Sequence, residues 1–309
     1  MAQRAGLAEL TSLDLSACRV SDVTPLTGLT KLEVLALGGT EVTDLTPLAE
    51  LRGVRRLTLG GTLVTDVTAL RGLVHLQELD LSSTAISDLT PLGEMAALLS
   101  LALGHTAVTD VAAVGRILTL RSLSLSATGV RDVWPLATLT ELESLELAGV
   151  QISDLTPLGT LAKLRRLDLN STKIRDLAPL ATLGRLEYLD ISNTDVSDLT
   201  PLRELHALKR LFANLIEVCD VGPLSQLGDL SVLTLLGSPV VDITPLGMLR
   251  NLKSLDLEGT QVADVTPLNS LKELAWLDLT GTRVRDIGAL STLKRLTIRG
   301  LELFRLAAS

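Results

Sequence analysis

An aspartate recurs every 22 residues along this chain, at positions 22, 44, 66, 88, 110, 132, 154, 176, 198, 220, 242, 264 and 286. The thirteen copies run without one insertion or deletion. The residues around the aspartate repeat too. Ser-Asp-Leu-Thr-Pro-Leu stands at 87–92, 153–158 and 197–202, with near copies at 43–48, 175–180 and 263–268. So strict a period excludes an irregular globular domain: each copy is one structural unit stacked on the next.

Places within a copy are counted from Leu10. Leucines fall at places 1, 4 and 6, here Leu10, Leu13 and Leu15. Leu-x-Leu at places 4 and 6 puts two side chains on one face of a strand, so place 5 points the other way. Ten of the eleven prolines occupy place 16, three residues after the aspartate at place 13. No copy can bury its own leucines, so neighbours bury them for each other. The expected fold is α/β: a solenoid with one short parallel strand per copy and short 3-10 or α turns on the opposite side. Strands about 4.8 Å apart make a sheet roughly 60 Å long. Hydrophobic residues make up 46% and aromatics only 2%, so the core must be Leu, Val, Ile and Ala. The organisation expected is a single domain over 1–309: a partial copy at 1–9, thirteen copies over 10–295, then a strand and apolar tail at 296–309.

This pattern resembles the 22-residue leucine-rich repeats of the internalin type, shared with phosphatase-regulatory leucine-rich repeat subunits. The Ser-Asp-Leu-Thr-Pro-Leu segment is its most characteristic piece. The resemblance implies a curved horseshoe whose concave sheet binds a partner protein. It suggests either an internalin-like adhesin or effector that recognises a host protein, or a regulatory subunit of a phosphatase or similar enzyme. One departure is consistent. The family usually carries Asn at place 9; nine copies here carry Thr, and the others carry Cys18, Val150, Ile216 and Ser238. A hydroxyl there is expected to bond a neighbouring turn. Internalins have a helical N-terminal cap and anchoring modules. Here the first residues read as a partial copy only, so the N-terminal edge is expected to be open or capped by a partner. A fourteenth strand is expected three residues early after Leu293. The tail with Leu301, Leu303, Phe304 and Leu306 is expected to close the core.

The aspartate row admits a chemical reading, cation binding, and an architectural one. Asp readily accepts the backbone N–H two residues on, and Thr-Pro at places 15 and 16 marks a helix start. Calcium needs several oxygens converging on one point, which one carboxylate per copy does not supply. The architectural reading is preferred, and it changes the charge. The chain is −8 overall, but without the 13 ladder aspartates 23 acids face 28 bases, a balance of +5. No basic stripe for nucleic acid stands out. His75, His105 and His206 lie at unrelated places of three copies, and no nucleophile, phosphate-loop or zinc motif is present. The chain is therefore expected to be no enzyme, with no cofactor, catalytic residue or metal site. Cys18 and Cys219 are nine copies apart, roughly 43 Å on strand spacing, too far for a disulfide. Unpaired thiols, no leader-like run near Met1 and no long apolar segment point to the cytoplasm. A surface or secreted location would follow if a leader has been trimmed.

Function is then sought at the outward strand places, which do not build the core. Those of the first third are small: Ala36, Gly38, Thr58, Gly60, Ala102, Gly104. The later copies differ. Three of the chain's five aromatics, Tyr188, Phe212 and Trp276, fall there. Arg166, Asp168, Asp190, Arg210, Asn214 and Leu236 surround the first two. Tyr, Trp and Arg are the residues enriched at binding hot spots. The tenth copy also breaks the pattern, with Ala213 for the place-6 leucine and Ile216 for the ladder threonine. The expected partner-binding residues are Arg166, Tyr188, Arg210, Phe212 and Trp276 as anchors, with Asp168, Asp190 and Asn214 setting polar specificity.

Overall fold

The computed structural model describes residues 9–300. They group into two compact units, Met1–Gln151 and Ile152–Ser309. Each is a leucine-rich-repeat solenoid. In the first unit, strands β1 (Ser12–Asp14) to β7 (Ser144–Glu146) succeed one another every 22 residues and pair in parallel in chain order. The second unit holds β8 (Arg166–Asp168), β9 (Tyr188–Asp190), β10 (Arg210–Phe212), β11 (Val232–Thr234), β12 (Ser254–Asp256), β13 (Trp276–Asp278) and β14 (Thr297–Arg299). These too pair in parallel with each neighbour.

Register follows from the leucines. The place-4 leucines stack strand on strand, as Leu167, Leu189, Leu211, Leu233, Leu255 and Leu277 do in the second unit, and all are buried. Each contributes about 1.5–3 kcal/mol on burial. Between strands runs a 3-10 helix of three to five residues. Thr-Pro-Leu begins most of them, with Pro in the first turn and the leucine buried. Pro fixes φ near the helical value and gives up an N–H that a helix start leaves unpaired anyway.

The aspartates do what the architectural reading requires. In all thirteen copies Oδ1 accepts the backbone N–H two residues on, at 2.7–2.9 Å. Where the acceptor's neighbour is Thr, as at Asp22, Asp154 and Asp242, these hydrogen bonds hold the carboxyl below its ordinary range.

The threonine ladder is built differently from expectation. Each of the nine Thr hydroxyls donates to the carbonyl three residues back in its own copy, at 2.6–2.7 Å. Thr is one atom group shorter than Asn, so it reaches its own turn and not the next. Ile216 cannot donate, and the carbonyl it would have served, Ala213 O, accepts instead from Ser238 Oγ of the following copy at 3.0 Å.

A second ladder was invisible in the sequence reading. Place 8 has positive φ in every copy, from 53° at Leu215 to 74° at Gly149. Six of these residues are Gly and seven are not. The left-handed turn aims the place-8 N–H along the stack; Leu215 N, for example, donates to Leu236 O at 2.7 Å.

The last strand also corrects an expectation. Trp276 pairs with Thr297, 21 residues on, so β14 arrives one residue early and not three. Leu296 still closes its turn on Leu293, and the residue lost is the one between that turn and the strand. The partial N-terminal copy before Glu9 and the tail with Leu301, Leu303, Phe304 and Leu306 lie outside the described residues. Cys18 and Cys219 are both exposed free thiols.

Candidate functional site

Strand register brings Arg166, Tyr188 and Arg210 side by side at place 3 of β8, β9 and β10. The Arg166 guanidinium carbon lies 3.8 Å from the centre of the Tyr188 ring. Phe212, at place 5 of β10, also meets that ring, with centroids 5.3 Å apart and planes tilted by 41°. A cation over a ring face and a tilted aromatic pair are both attractive arrangements. Burial raises the Tyr188 hydroxyl's pKa above 10.0, helped by the charge of Asp190 and opposed by Arg166.

Beside the aromatic pair is a shallow cleft of about 300 Å³, lined by Arg165, Arg166, Glu187, Tyr188, Lys209 and Arg210. Glu187 takes Arg165 at 2.5 Å and Lys209 at 2.7 Å, and these two cations hold its carboxyl below the usual range. Arg210 is exposed and makes no ion pair among the described residues.

Not every expected residue joins this cluster. Trp276 is three strands from Arg210, with Val232 and Ser254 between them at place 3. That is about 14 Å on strand spacing. The polar residues carry backbone duties. Asp168 and Asp190 accept the N–H groups of Asn170 and Ser192 at 3.0 and 2.9 Å. On β10 and β11, where place 5 is Phe212 and Thr234, the preceding copy substitutes: Ser192 Oγ takes Asn214 N–H at 3.3 Å, and Asn214 Oδ1 takes Leu236 N–H at 3.0 Å. What Asn214 has left to offer outward is its amide N–H pair.

Two features of the site escaped the sequence reading. Thr234 Oγ1, in register with Phe212, is buried without a hydrogen-bond partner. Leu215 is 57% exposed despite being apolar, and it holds φ 53°. Its Cδ2 lies 2.7 Å from where a Cβ on Gly237 would be, so that glycine makes room for it. The signal for both was present in the irregularity of the tenth and eleventh copies. Further along, Asp256, Glu258 and Asp278 bring carboxylate oxygens within 4.8 Å, the one group among the described residues that could hold a cation. Both aspartates spend an oxygen on backbone N–H groups, and Asp278 meets Arg299 at 3.6 Å. Burial raises the Asp256 carboxyl above its usual range.

Models described as leucine-rich repeats match residues 140–182, 162–204 and 72–89. The structure of internalin InlF from Listeria monocytogenes aligns over 96% of this chain and 88% of its own, at 32% identity and a TM-score of 0.91. The chain is a leucine-rich repeat protein of the internalin-like type. Internalin C2 of the same species aligns over 70% of this chain and 83% of its own, at 31% identity and a TM-score of 0.53. A leucine-rich repeat protein of Leptospira interrogans shares the fold, covering 97% and 86% of the two chains at 21% identity and a TM-score of 0.82. No curated protein matches this sequence. Internalin-like leucine-rich repeat proteins are typically interaction scaffolds without enzymatic activity, and that scaffold role is what the family indicates here. Among the described residues no helix is long and apolar enough to cross a membrane.

Proposed function

We propose that this scaffold binds a protein partner on the outward strand face of its second unit. Arg166, Tyr188, Arg210 and Phe212 form the anchor. Trp276 supplies a second contact point three strands on, and Asp168, Asp190 and Asn214 set polar specificity between and beside them. The observation that carries the reading is the stacked cluster itself. Two of the chain's five aromatics meet at 5.3 Å on an outward face, with an arginine 3.8 Å over one ring. Rigid aromatics and arginine give large contact area at small entropic cost.

Affinity capture from source cells with the wild-type chain and with Tyr188→Ala/Phe212→Ala tests it. The partner should be lost from the double variant by more than tenfold while circular dichroism is unchanged. Equal capture by both would refute the assignment. The likeness to internalin InlF favours one specific form of this role, an adhesin or effector that recognises a host protein. Binding of the wild type, but not the double variant, to a host-cell surface would support that form.

A further inference from the structure

Resting on that reading, we infer that the partner docks through a basic, apolar segment: an apolar side chain laid over Phe212, Leu236 and Leu215, and a lysine or arginine beside it on the acids that border them. Three apolar departures carry the first half. Across the thirteen copies Phe212 is the one large apolar residue at place 5, Leu236 the one at place 7 and Leu215 the one at place 8. All three fall in the tenth and eleventh copies, whose strands pair. Random drift would scatter them. The backbone ties them together, since Leu215 N donates to Leu236 O at 2.7 Å and Asn214 Oδ1 accepts the Leu236 N–H at 3.0 Å. None belongs to the core: Phe212 and Leu236 are partly buried and Leu215 is exposed. Leu215 also holds a left-handed turn that six copies give to Gly. An exposed leucine at such a place gains the fold little, and backbone strain collects where binding uses it.

Charge complementarity carries the second half. Over places 5 to 13 of copies nine to twelve, residues 190–198, 212–220, 234–242 and 256–264, there are nine acids and no Lys, Arg or His. Four of the nine are ladder aspartates. Of the other five, Asp195 is paired with Arg175 of the eighth copy at 3.1 Å. Asp190, Glu217, Asp256 and Glu258 make no ion pair among the described residues. They surround the apolar group. Asp190 is in register with Phe212 on one side, and Asp256 lies beyond Thr234 on the other. Glu217 follows Leu215 by two residues, and Glu258 is one copy on from Leu236. The strand cations of these four copies, Lys209, Arg210 and Lys253, stand at places 2 and 3. Arg166 of the eighth copy is engaged over the Tyr188 ring, and Arg299 of β14 meets Asp278. A base in the partner is therefore repelled on the place-3 side and drawn to the side of places 5 to 10. This gives the segment a direction, with its apolar residue on Phe212 and its base toward Glu217 and Glu258.

A random peptide library panned on the full chain separates this inference from the reading beneath it. Binders are sorted by whether Tyr188→Ala/Phe212→Ala abolishes their capture, which sets aside peptides held by net charge alone. Those that depend on the pair are sequenced. Enrichment of Lys or Arg next to an apolar residue is the expected result. Leu215→Gly should weaken these binders about tenfold, the order of one covered leucine side chain. It relieves the left-handed turn, so the loss is read on an intact fold. Glu217→Gln/Glu258→Gln should weaken them about fivefold, the order of two exposed ion pairs, and added salt should weaken them too. Glu41→Gln, at the place of Glu217 in the second copy, should leave them unchanged. Binders that need Tyr188 and Phe212 but lack the basic and apolar preference, or are indifferent to either Leu215→Gly or Glu217→Gln/Glu258→Gln, overturn the basic segment and leave the binding face standing. Absence of any binder that needs the aromatic pair overturns both.

Discussion

Leu215 carries a branched side chain on a backbone turn that other copies fill with Gly or a small or polar residue. A left-handed conformation costs a non-glycine residue roughly 1–2 kcal/mol. With 57% of it exposed, the leucine regains little by burial. Leu215→Gly should therefore raise unfolding free energy by about 1 kcal/mol, read by urea denaturation; a loss of stability would show that its packing over Gly237 outweighs the strain. Thr234→Val makes the complementary case. It removes a buried hydroxyl that has no partner and keeps the side-chain shape, so stability should hold or rise by about 1 kcal/mol. Tyr188 offers a direct measurement, because it is the only tyrosine. Its folded pKa is raised, so the folded chain favours the neutral phenol, and the stability it adds is lost as pH rises past the folded value. Absorbance of the phenolate should show a midpoint above 10.0, and Arg166→Ala should move it higher still.

At the scale of one repeat, the aspartate is a backbone cap whose titration has a definite sign. Hydrogen bonds from Thr24, Thr46, Thr90 and Thr156 lower the carboxyl pKa of Asp22, Asp44, Asp88 and Asp154. Their stabilisation is complete above the unfolded value near 3.8 and disappears as pH falls through the lower folded value. Asp154→Ala should melt below the wild type at neutral pH, and the gap should close as pH falls from 3.8 through the lower folded value. Asp154→Asn, which keeps an acceptor, should lose less. A gap that stayed constant with pH would mean the charge plays no part. This element was legible because its rule is local: Asp, one residue, then Thr-Pro. The place-8 turn was hidden because Gly, Ser, Ala, His, Asn and Leu all occupy it, so side-chain pattern gives no hint of the backbone. The backbone bonds of Asp168, Asp190 and Asn214 were hidden for a related reason. They satisfy N–H groups that become orphans only when strand follows turn in three dimensions. The Tyr188–Phe212 pair was legible because both residues fell on outward places of adjacent copies, whereas Trp276 shares the face but not the cluster.

On the scale of the molecule, stability in a repeat stack is a sum of copy and nearest-neighbour terms. Leu57 and Leu211 occupy the same place in the first and second units, and both are buried. Truncating either to Ala leaves a cavity and should cost about 2–5 kcal/mol. We propose that the chain nonetheless behaves as a single domain. Calorimetry of the wild type should then show one transition, and Leu57→Ala and Leu211→Ala should each move that same transition down. If the two compact units unfolded independently, Leu57→Ala would split the trace into an early first-unit transition and an unshifted second. Leu211→Ala would do the reverse. Near-ultraviolet signals assign the halves, since Trp134 reports on the first unit and Trp276 and Tyr188 on the second. Coincident loss of both signals in both variants is the outcome expected of one cooperative stack, because a weakened copy then lowers the whole chain and not only its neighbours.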